Sequence, residues 1–201
     1  MFQKSDYKTA KENFLTSHFD GCQKFFVEHG CILELAYYEI LAENLSEAEK
    51  LFSLIQEQDL RASWGKYLVS MLKINVNSYP SYFQLRNFLG IDLNILIQNA
   101  KGQYVQNILG YTDFMSEINP EVYKFIGRVF YHNGLKEESM ILFERAKDTF
   151  FNDPELHVLI AQLYLENGDK EKALHYATIS QKILPEYYPA VSLTKQLIAQ
   201  D

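Results

Sequence analysis

The chain has 201 residues, of which 47% are hydrophobic and 22% are charged, and its formal net charge at pH 7 is −7. This length and apolar content suffice for one or two domains with a real core, and they exclude a disordered chain. Acidic residues dominate residues 1–60, and no basic stripe is present. We therefore expect neither nucleic acid nor an anionic membrane surface as a partner.

The N-terminal segment carries no recognisable targeting signal. It lacks an apolar run and a small-residue cleavage site, which predicts that it is not a signal peptide. No window of the chain approaches the roughly 18 apolar residues of a membrane span. We therefore expect a cytoplasmic protein in which Cys22 and Cys31 are reduced.

Four potential metal ligands lie close together near the N-terminus: His18, Cys22, His29 and Cys31. His18 and Cys22 would share a helix face, but the close pair of cysteines that is usual in a zinc site is missing. Free cysteine is also a common core residue. We therefore predict no metal site. No motif for nucleophilic catalysis or phosphate binding is present, and we expect no cofactor.

Residues 73–82, with the sequence KINVNSYPSY, interrupt the helical periodicity of the chain. The segment is polar, and Pro80 disfavours helical backbone at the residue before it. The chain as a whole has 14 Tyr and 14 Phe against 9 Gly and 5 Pro. This composition favours helices with bulky packed seams over a loop-rich β fold.

Residues 120–187 contain two copies of one pattern, which repeats without a gap after 34 residues. Pro120 of the first copy aligns with Pro154 of the second, and each proline lies where a helix can begin. Apolar residues then recur at helical spacing, which predicts a first helix with one apolar face in each copy. These residues are Ile126, Val129 and Phe130 in the first copy and Ile160, Leu163 and Tyr164 in the second.

Each predicted first helix is followed by a short turn and a second helix. The pairs Asn133-Gly134 and Asn167-Gly168 tolerate the left-handed backbone conformation that ends a helix. Second helices are expected to begin near Lys136 and Lys170. Small residues lie where the two helices of a pair would cross closely, because only small side chains permit such an approach. They are Gly127, Ser139, Ala161 and Ala173.

The pattern of residues 120–187 resembles the tetratricopeptide repeat. The first copy matches the family pattern with Tyr123, Ile126, Gly127, Phe130, Gly134, Ser139, Phe143 and Ala146. The second copy matches it with His157, Ile160, Ala161, Tyr164, Gly168, Ala173, Ala177, Ser180 and Pro185. The departures from the pattern are Ser139, His157 and Ala177, and none of them forbids a helix pair.

The resemblance implies an all-α fold, a right-handed α-solenoid of antiparallel helix pairs, with about five to six pairs and a C-terminal capping helix over 187–200. Residues 1–119 would form degenerate repeats. Residues 120–201 would form two regular repeats, 120–153 and 154–187, and the capping helix. Both parts are expected to belong to one continuous superhelical domain. By the resemblance, further helices lie at 5–17, 45–55, 62–72 and 102–114.

The resemblance also implies a concave groove that is lined by the first helix of each pair. The expected partner-binding residues are Glu121, Lys124, Arg128, Tyr131, His132, Glu155, Val158, Gln162, Leu165 and Glu166. Lys124 and Arg128 are four residues apart on one helix face, so both could pair with a carboxylate of a bound peptide. The alternative is that they are ordinary surface charges, satisfied by Glu121 or water. The carboxylate clamp of chaperone-binding family members is not supported, because its other positions hold unsuitable residues.

We expect a non-catalytic scaffold that binds a protein or peptide, and homo-oligomers are compatible with this function. The alternative is an accessory region of a bacterial enzyme, such as a glycosyltransferase, whose catalytic domain lies outside this chain. An α/β nucleotide-binding pattern upstream in the natural open reading frame would favour that alternative. A third hypothesis is a bacterial peptide sensor, although the acidic residues 1–60 do not favour the DNA-binding helix-turn-helix that such regulators often carry.

Overall fold

The computed structural model describes residues 8–9, 22–56 and 58–199. Within them the regular elements are helices, as the sequence predicts, and no β-strand occurs. The chain divides into two compact units, residues 1–118 and 119–201. A single continuous superhelix therefore stays a prediction. Apart from residues 8–9, the helix predicted over 5–17 lies outside the described residues, as does His18.

In its described residues, the first unit contains α-helices and one π-helical segment, Leu85–Leu89. Its helices are α1 (Cys22–Glu28), α2 (Ile32–Leu41), α3 (Leu45–Ser53), α4 (Leu60–Leu72), α5 (Tyr82–Gln84), α6 (Gly90–Gln98), α7 (Gly102–Leu109) and α8 (Thr112–Ile118). The helices expected over 45–55 and 62–72 are confirmed as α3 and α4. The interruption predicted at 73–82 corresponds to the non-helical connection between α4 and α5 over 73–81, and Tyr82 already belongs to α5.

One prediction for the first unit is wrong in detail. The segment 102–114 is not a single helix, because α7 ends at Leu109 and α8 begins at Thr112. Gly110 lies between them and has a low helix propensity, and the amide of Tyr111 bonds to the carbonyl of Ile108 in a tighter turn.

The core of the first unit lies where α3 packs on α2 and α4, and where α7 packs on α4 and α6. Its largest fully buried side chains are Phe26, Ile40, Phe52, Trp64, Leu68, Met71, Leu85, Leu89, Leu93, Leu96 and Ile108. Burial of this apolar surface is the main favourable term in the folding of these helices, since most of them are too short to be stable alone.

The second unit contains two helix pairs and a last helix. They are α9 (Val122–His132) with α10 (Lys136–Thr149), α11 (Pro154–Glu166) with α12 (Lys170–Ile183), and α13 (Tyr188–Ile198). The predicted starts of the second helices are confirmed. Helix α13 packs on α12 and α11, where it covers an apolar cluster, as a capping helix should.

The turns within the helix pairs show that one more repeat follows the same period. Ala100, Gly134 and Gly168 are spaced by 34 residues, and all three have positive φ, at 55°, 78° and 81°. In each turn the next amide bonds back five residues, at 2.9 Å: Lys101 to Leu96, Leu135 to Phe130 and Asp169 to Tyr164. This is the hydrogen bond of a Schellman motif. Along the sequence, the turn between α6 and α7 therefore follows the 34-residue period of the two regular repeats.

Candidate functional site

The predicted groove residues of the second unit belong to the first helices of its two pairs. Glu121 directly precedes α9, and the others lie on α9 or α11. The structure connects five of the ten by ion pairs or hydrogen bonds between the two helices: Lys124, Arg128, Tyr131, Glu155 and Glu166. Glu121 pairs with Lys124 at the start of α9 itself. His132 is exposed beside Tyr131, with ring centroids 5.6 Å apart.

Lys124 is buried, with 6% of its surface exposed. Its Nζ lies 2.6 Å from Asp153 Oδ2, 3.3 Å from Glu121 Oε1 and 3.5 Å from Glu155 Oε2. Burial alone would lower the pKa of Lys124, but the hydrogen bond and charge of Asp153, aided by Glu155 and Glu121, raise it instead. Lys124 is therefore a cation that carboxylates of the chain itself neutralise, and it ties α9 to the start of α11.

Arg128 is the more accessible of the two predicted cations, because 45% of its side chain is exposed. Its Nη1 donates to Glu155 Oε1 over 3.1 Å, so Glu155 is shared between Arg128 and Lys124. An ion pair at this exposure is worth only about 0–1 kcal/mol, and it can exchange its partner.

Glu166 is the last residue of α11, and it links this helix to the C-terminal end of α9 and to the start of α10. The hydroxyl of Tyr131 donates to Glu166 Oε1 over 2.6 Å, and Lys136 Nζ lies 2.7 Å from Glu166 Oε2. Burial, the hydrogen bond and the charge of Glu166 raise the pKa of Tyr131 to about 12. The hydrogen bonds from Lys136 and then Tyr131 lower the pKa of Glu166, against a smaller opposing effect of burial.

We expect a carboxyl ¹³C NMR titration to find the pKa of Glu166 below its ordinary value of 4.5. Lys136→Met should raise this pKa toward the ordinary value, and Tyr131→Phe should raise it less. Because the pKa is lowered in the folded state, these contacts stabilise the fold above the unfolded-state pKa, and this contribution is lost as the pH falls through the folded-state pKa. A Glu166 pKa that neither variant moves would contradict the network.

The remaining predicted residues are less available to a ligand. Val158 is buried in the apolar cluster under α13, together with Ala161, Ala177 and Leu193. Leu165 packs against the same cluster and is partly buried, and Gln162 is also partly buried. The physical reason for the burial of Val158 and Leu165 is that α13 covers their face of α11, since a last repeat needs an apolar cover.

Two residues that the sequence analysis missed also belong to the network. Asp153 Oδ1 accepts the amides of Glu155 and Leu156 and so caps α11, while its Oδ2 receives Lys124. An acidic residue directly before Pro154 was the available signal, because such residues favour the N-cap position. Tyr187 packs against the apolar cluster under α13, and burial and the charges of Glu155 and Asp153 raise its pKa, although Lys124 and Arg128 oppose the rise.

Among the described residues, no helix is long and apolar enough to cross a membrane. Likewise, no three or more acidic, histidine or cysteine side chains come together as a metal site in the part of the chain that the structure describes.

Comparison with known proteins gives structural similarity alone. No protein-family model matches the chain, and no curated protein matches it. YrrB, described as a TPR protein with an unusual peptide-binding site, aligns over 95% of this chain and 86% of its own, with 13% identity and a TM-score of 0.44. The chain is similar to tetratricopeptide repeat proteins. A second solved structure, that of the TPR protein TTC0263 from Thermus thermophilus, aligns over 85% of this chain and 98% of its own, with 16% identity and a TM-score of 0.43.

Proposed function

We propose that the chain is a non-catalytic, cytoplasmic scaffold that binds a protein or peptide on the face shared by α9 and α11. The observation that carries this proposal is the Arg128 guanidinium, which is half exposed and held between two helices by a carboxylate that has a second partner. Such a cation is held in place and can still bind a second carboxylate, and recognition of an acidic group requires both.

Binding would proceed by exchange of the partner of Arg128. A ligand carboxylate can take the guanidinium in a bidentate pair, while Glu155 stays beside Lys124 at 3.5 Å. The exchange costs little, because the exposed Arg128–Glu155 pair is weak. His132 lies one helical turn further on and is exposed, so it can contact the residues that flank the acidic group.

The spacing of the two helices is fixed before a ligand arrives. Lys124 and Asp153 link α9 to α11 in a largely buried pair, and Tyr131 and Glu166 add an exposed hydrogen bond between the other ends of these helices. A preformed surface loses little conformational entropy on binding, which favours capture of a helix or an extended segment with little reorganisation.

Selection from a displayed random-peptide library against the whole chain tests this proposal. We expect the enriched peptides to share an acidic residue. The dissociation constant of one such peptide, measured by calorimetry, should rise at least about tenfold for Arg128→Glu, since charge reversal removes the bidentate pair and also repels the acidic group, which together cost more than about 1.4 kcal/mol.

Arg145→Glu is the matched control, because Arg145 is an exposed arginine on α10, the second helix of the same pair. It should leave the affinity unchanged. Lys124 is not a suitable probe, since charge reversal there would place a fourth carboxylate beside three others and unfold the unit. A library that yields no binder, or a peptide that Arg128→Glu binds as tightly as the wild type, would reject the proposed surface.

A further inference from the structure

The first unit contains a cleft that has no counterpart in the groove described above. It lies where the non-helical connection between α4 and α5 meets the start of α8. The cleft has a volume of about 370 Å³ and is lined by Val76, Asn77, Ser78, Tyr79, Tyr111 and Phe114. This volume falls within the range of about 300–1,000 Å³ that is typical of ligand-binding clefts.

One aromatic side chain of the cleft is largely exposed and two are partly buried. Tyr79 is 77% exposed, although its ring contacts that of Phe114, with centroids 5.0 Å apart and planes at 39°. Tyr111 adds a third, partly exposed ring. Large exposed aromatic side chains that converge on one cleft are typical of binding sites, because they offer much apolar area with little conformational entropy to lose.

The polarity of the lining restricts the ligand. Among the described residues, no acidic, basic or histidine side chain lines the cleft, so a charged ligand group would be desolvated without compensation. The rim instead offers hydrogen-bond donors, namely the hydroxyls of Tyr79, Tyr111 and Ser78 and the amide of Asn77. The hydroxyl of Tyr67, on α4, is buried and makes no hydrogen bond within the described part of the chain. Burial and the neighbouring Tyr111 raise the pKa of Tyr67.

We propose that this cleft binds a proline-containing peptide segment in the polyproline II conformation. Prolyl rings are uncharged and apolar, and proline has no backbone N–H to leave unpaired against the aromatic rings. The carbonyl groups of polyproline II make no internal hydrogen bonds, so they can accept from Tyr79, Tyr111 and Asn77. Aromatic-lined grooves are a recurring means of recognising such segments. This site goes beyond the proposed function, because it lies in the other unit and selects a different chemistry.

Titration of the full chain with an acetylated and amidated oligoproline peptide tests this site. We expect saturable binding by calorimetry, with shifts in the ring ¹³C resonances of Tyr79, and no binding of a blocked Gly-Ser peptide of equal length. Tyr79→Ala should raise the dissociation constant at least about tenfold, because it removes a ring that stacks on the ligand.

Tyr188→Ala is the matched control, since Tyr188 is also 77% exposed but lies on α13. Neither ring is needed for the core, so both variants should fold as judged by circular dichroism, and Tyr188→Ala should bind like the wild type. The site would be refuted by the absence of oligoproline binding at millimolar concentration, by equal binding of the Gly-Ser peptide, or by an unchanged affinity of Tyr79→Ala. Tighter binding of a blocked phenylalanine peptide would overturn the assigned ligand class. All of these results are independent of Arg128.

Discussion

Asp92→Asn should lower the free energy of unfolding of the first unit by about 3–5 kcal/mol, as expected when one partner of a buried ion pair is removed. Only 3% of Asp92 is exposed. Its Oδ2 accepts from Trp64 Nε1 over 2.6 Å and from the Tyr37 hydroxyl over 3.4 Å, while its Oδ1 accepts from the Arg61 guanidinium. The carboxylate therefore joins α6 to α2 and α4.

The charge of Asp92 matters more than its shape, because of what surrounds Arg61. The guanidinium carbon of Arg61 lies 4.4 Å from the Tyr37 ring centroid and 4.8 Å from that of Phe88. Its Nη1 is buried and makes no hydrogen bond with any residue that the structure describes. Asparagine would keep an oxygen for Trp64, but it would leave this cation without a counter-charge.

Unfolding in urea, followed by tryptophan fluorescence, measures the effect at the cluster itself. Trp64 is the single tryptophan of the chain, and its indole donates to Asp92. Circular dichroism in parallel reports on the helices of both units. Asp113→Asn is the matched control, because Asp113 is an exposed carboxylate on α8 of the same unit, and it should change stability by less than about 0.5 kcal/mol. Equal effects of the two variants would contradict the prediction.

A double variant separates ion pairing from packing. Burial raises the pKa of Asp92 even though Arg61, Trp64 and Tyr37 oppose the shift, so desolvation outweighs the contacts. The pair is therefore not expected to stabilise the unit relative to apolar residues of similar volume. Asp92→Leu combined with Arg61→Met should cost less than Asp92→Leu alone, and a larger cost for the double variant would show that the ion pair itself is stabilising.

The sequence predicts the regular repeats well because their turns contain Asn-Gly. The third copy of the period has Asn99 followed by Ala100, so the glycine that marks the turn is missing although the backbone is left-handed there. A non-glycine residue in that conformation costs roughly 1–2 kcal/mol, and other contacts must offset it. The asparagines at 99, 133 and 167 keep the period, and Asn99 and Asn133 both donate to the carbonyl four residues before, over 2.8 Å. The 34-residue spacing of these asparagines is the sequence signal that marks the turn between α6 and α7.

The contacts of the predicted groove residues were predictable only in part, because their charges are paired between the two helix pairs of the second unit. Helical spacing places Lys124 and Arg128 on one face of α9, but it does not show how deeply each is buried. The main partner of Lys124 is Asp153, which lies 29 residues later and also serves as the cap of α11. Contacts at such separations depend on the packing of α9 against α11, which periodicity within one helix does not encode.

Gly65→Ala should destabilise the first unit by about 1–3 kcal/mol, because the added methyl group overpacks a close crossing of α4 and α3. A Cβ at Gly65 would lie 2.3 Å from the Phe52 ring, which is itself fully buried. Gly127 lies similarly close to an aromatic ring in the second unit, because a Cβ added there would be 2.6 Å from the Phe143 ring. Urea unfolding of Gly65→Ala, followed by Trp64 fluorescence, measures the cost.

In the second regular repeat, both residues of the glycine–phenylalanine contact are replaced by alanine. Ala161 occupies the position of Gly127, and Ala177 occupies the position of Phe143, so the methyl group appears where the ring is absent. Both alanines are fully buried in one cluster. The size of the first-helix residue is therefore matched to that of its second-helix partner, and Gly127→Ala combined with Phe143→Ala should lose less stability than the two single variants summed.

Gly102→Ala is the comparison that separates overpacking from helix propensity, because we expect it to raise the free energy of unfolding where Gly65→Ala lowers it. Gly102 lies at the start of α7, and a Cβ there would meet no atom within 4 Å. Alanine should stabilise this helix by up to about 1 kcal/mol, since glycine has the larger conformational entropy in the unfolded chain. If Gly65→Ala also stabilised the unit, the Phe52 ring would have room to move, and helix propensity rather than the close crossing would determine the residue at this position.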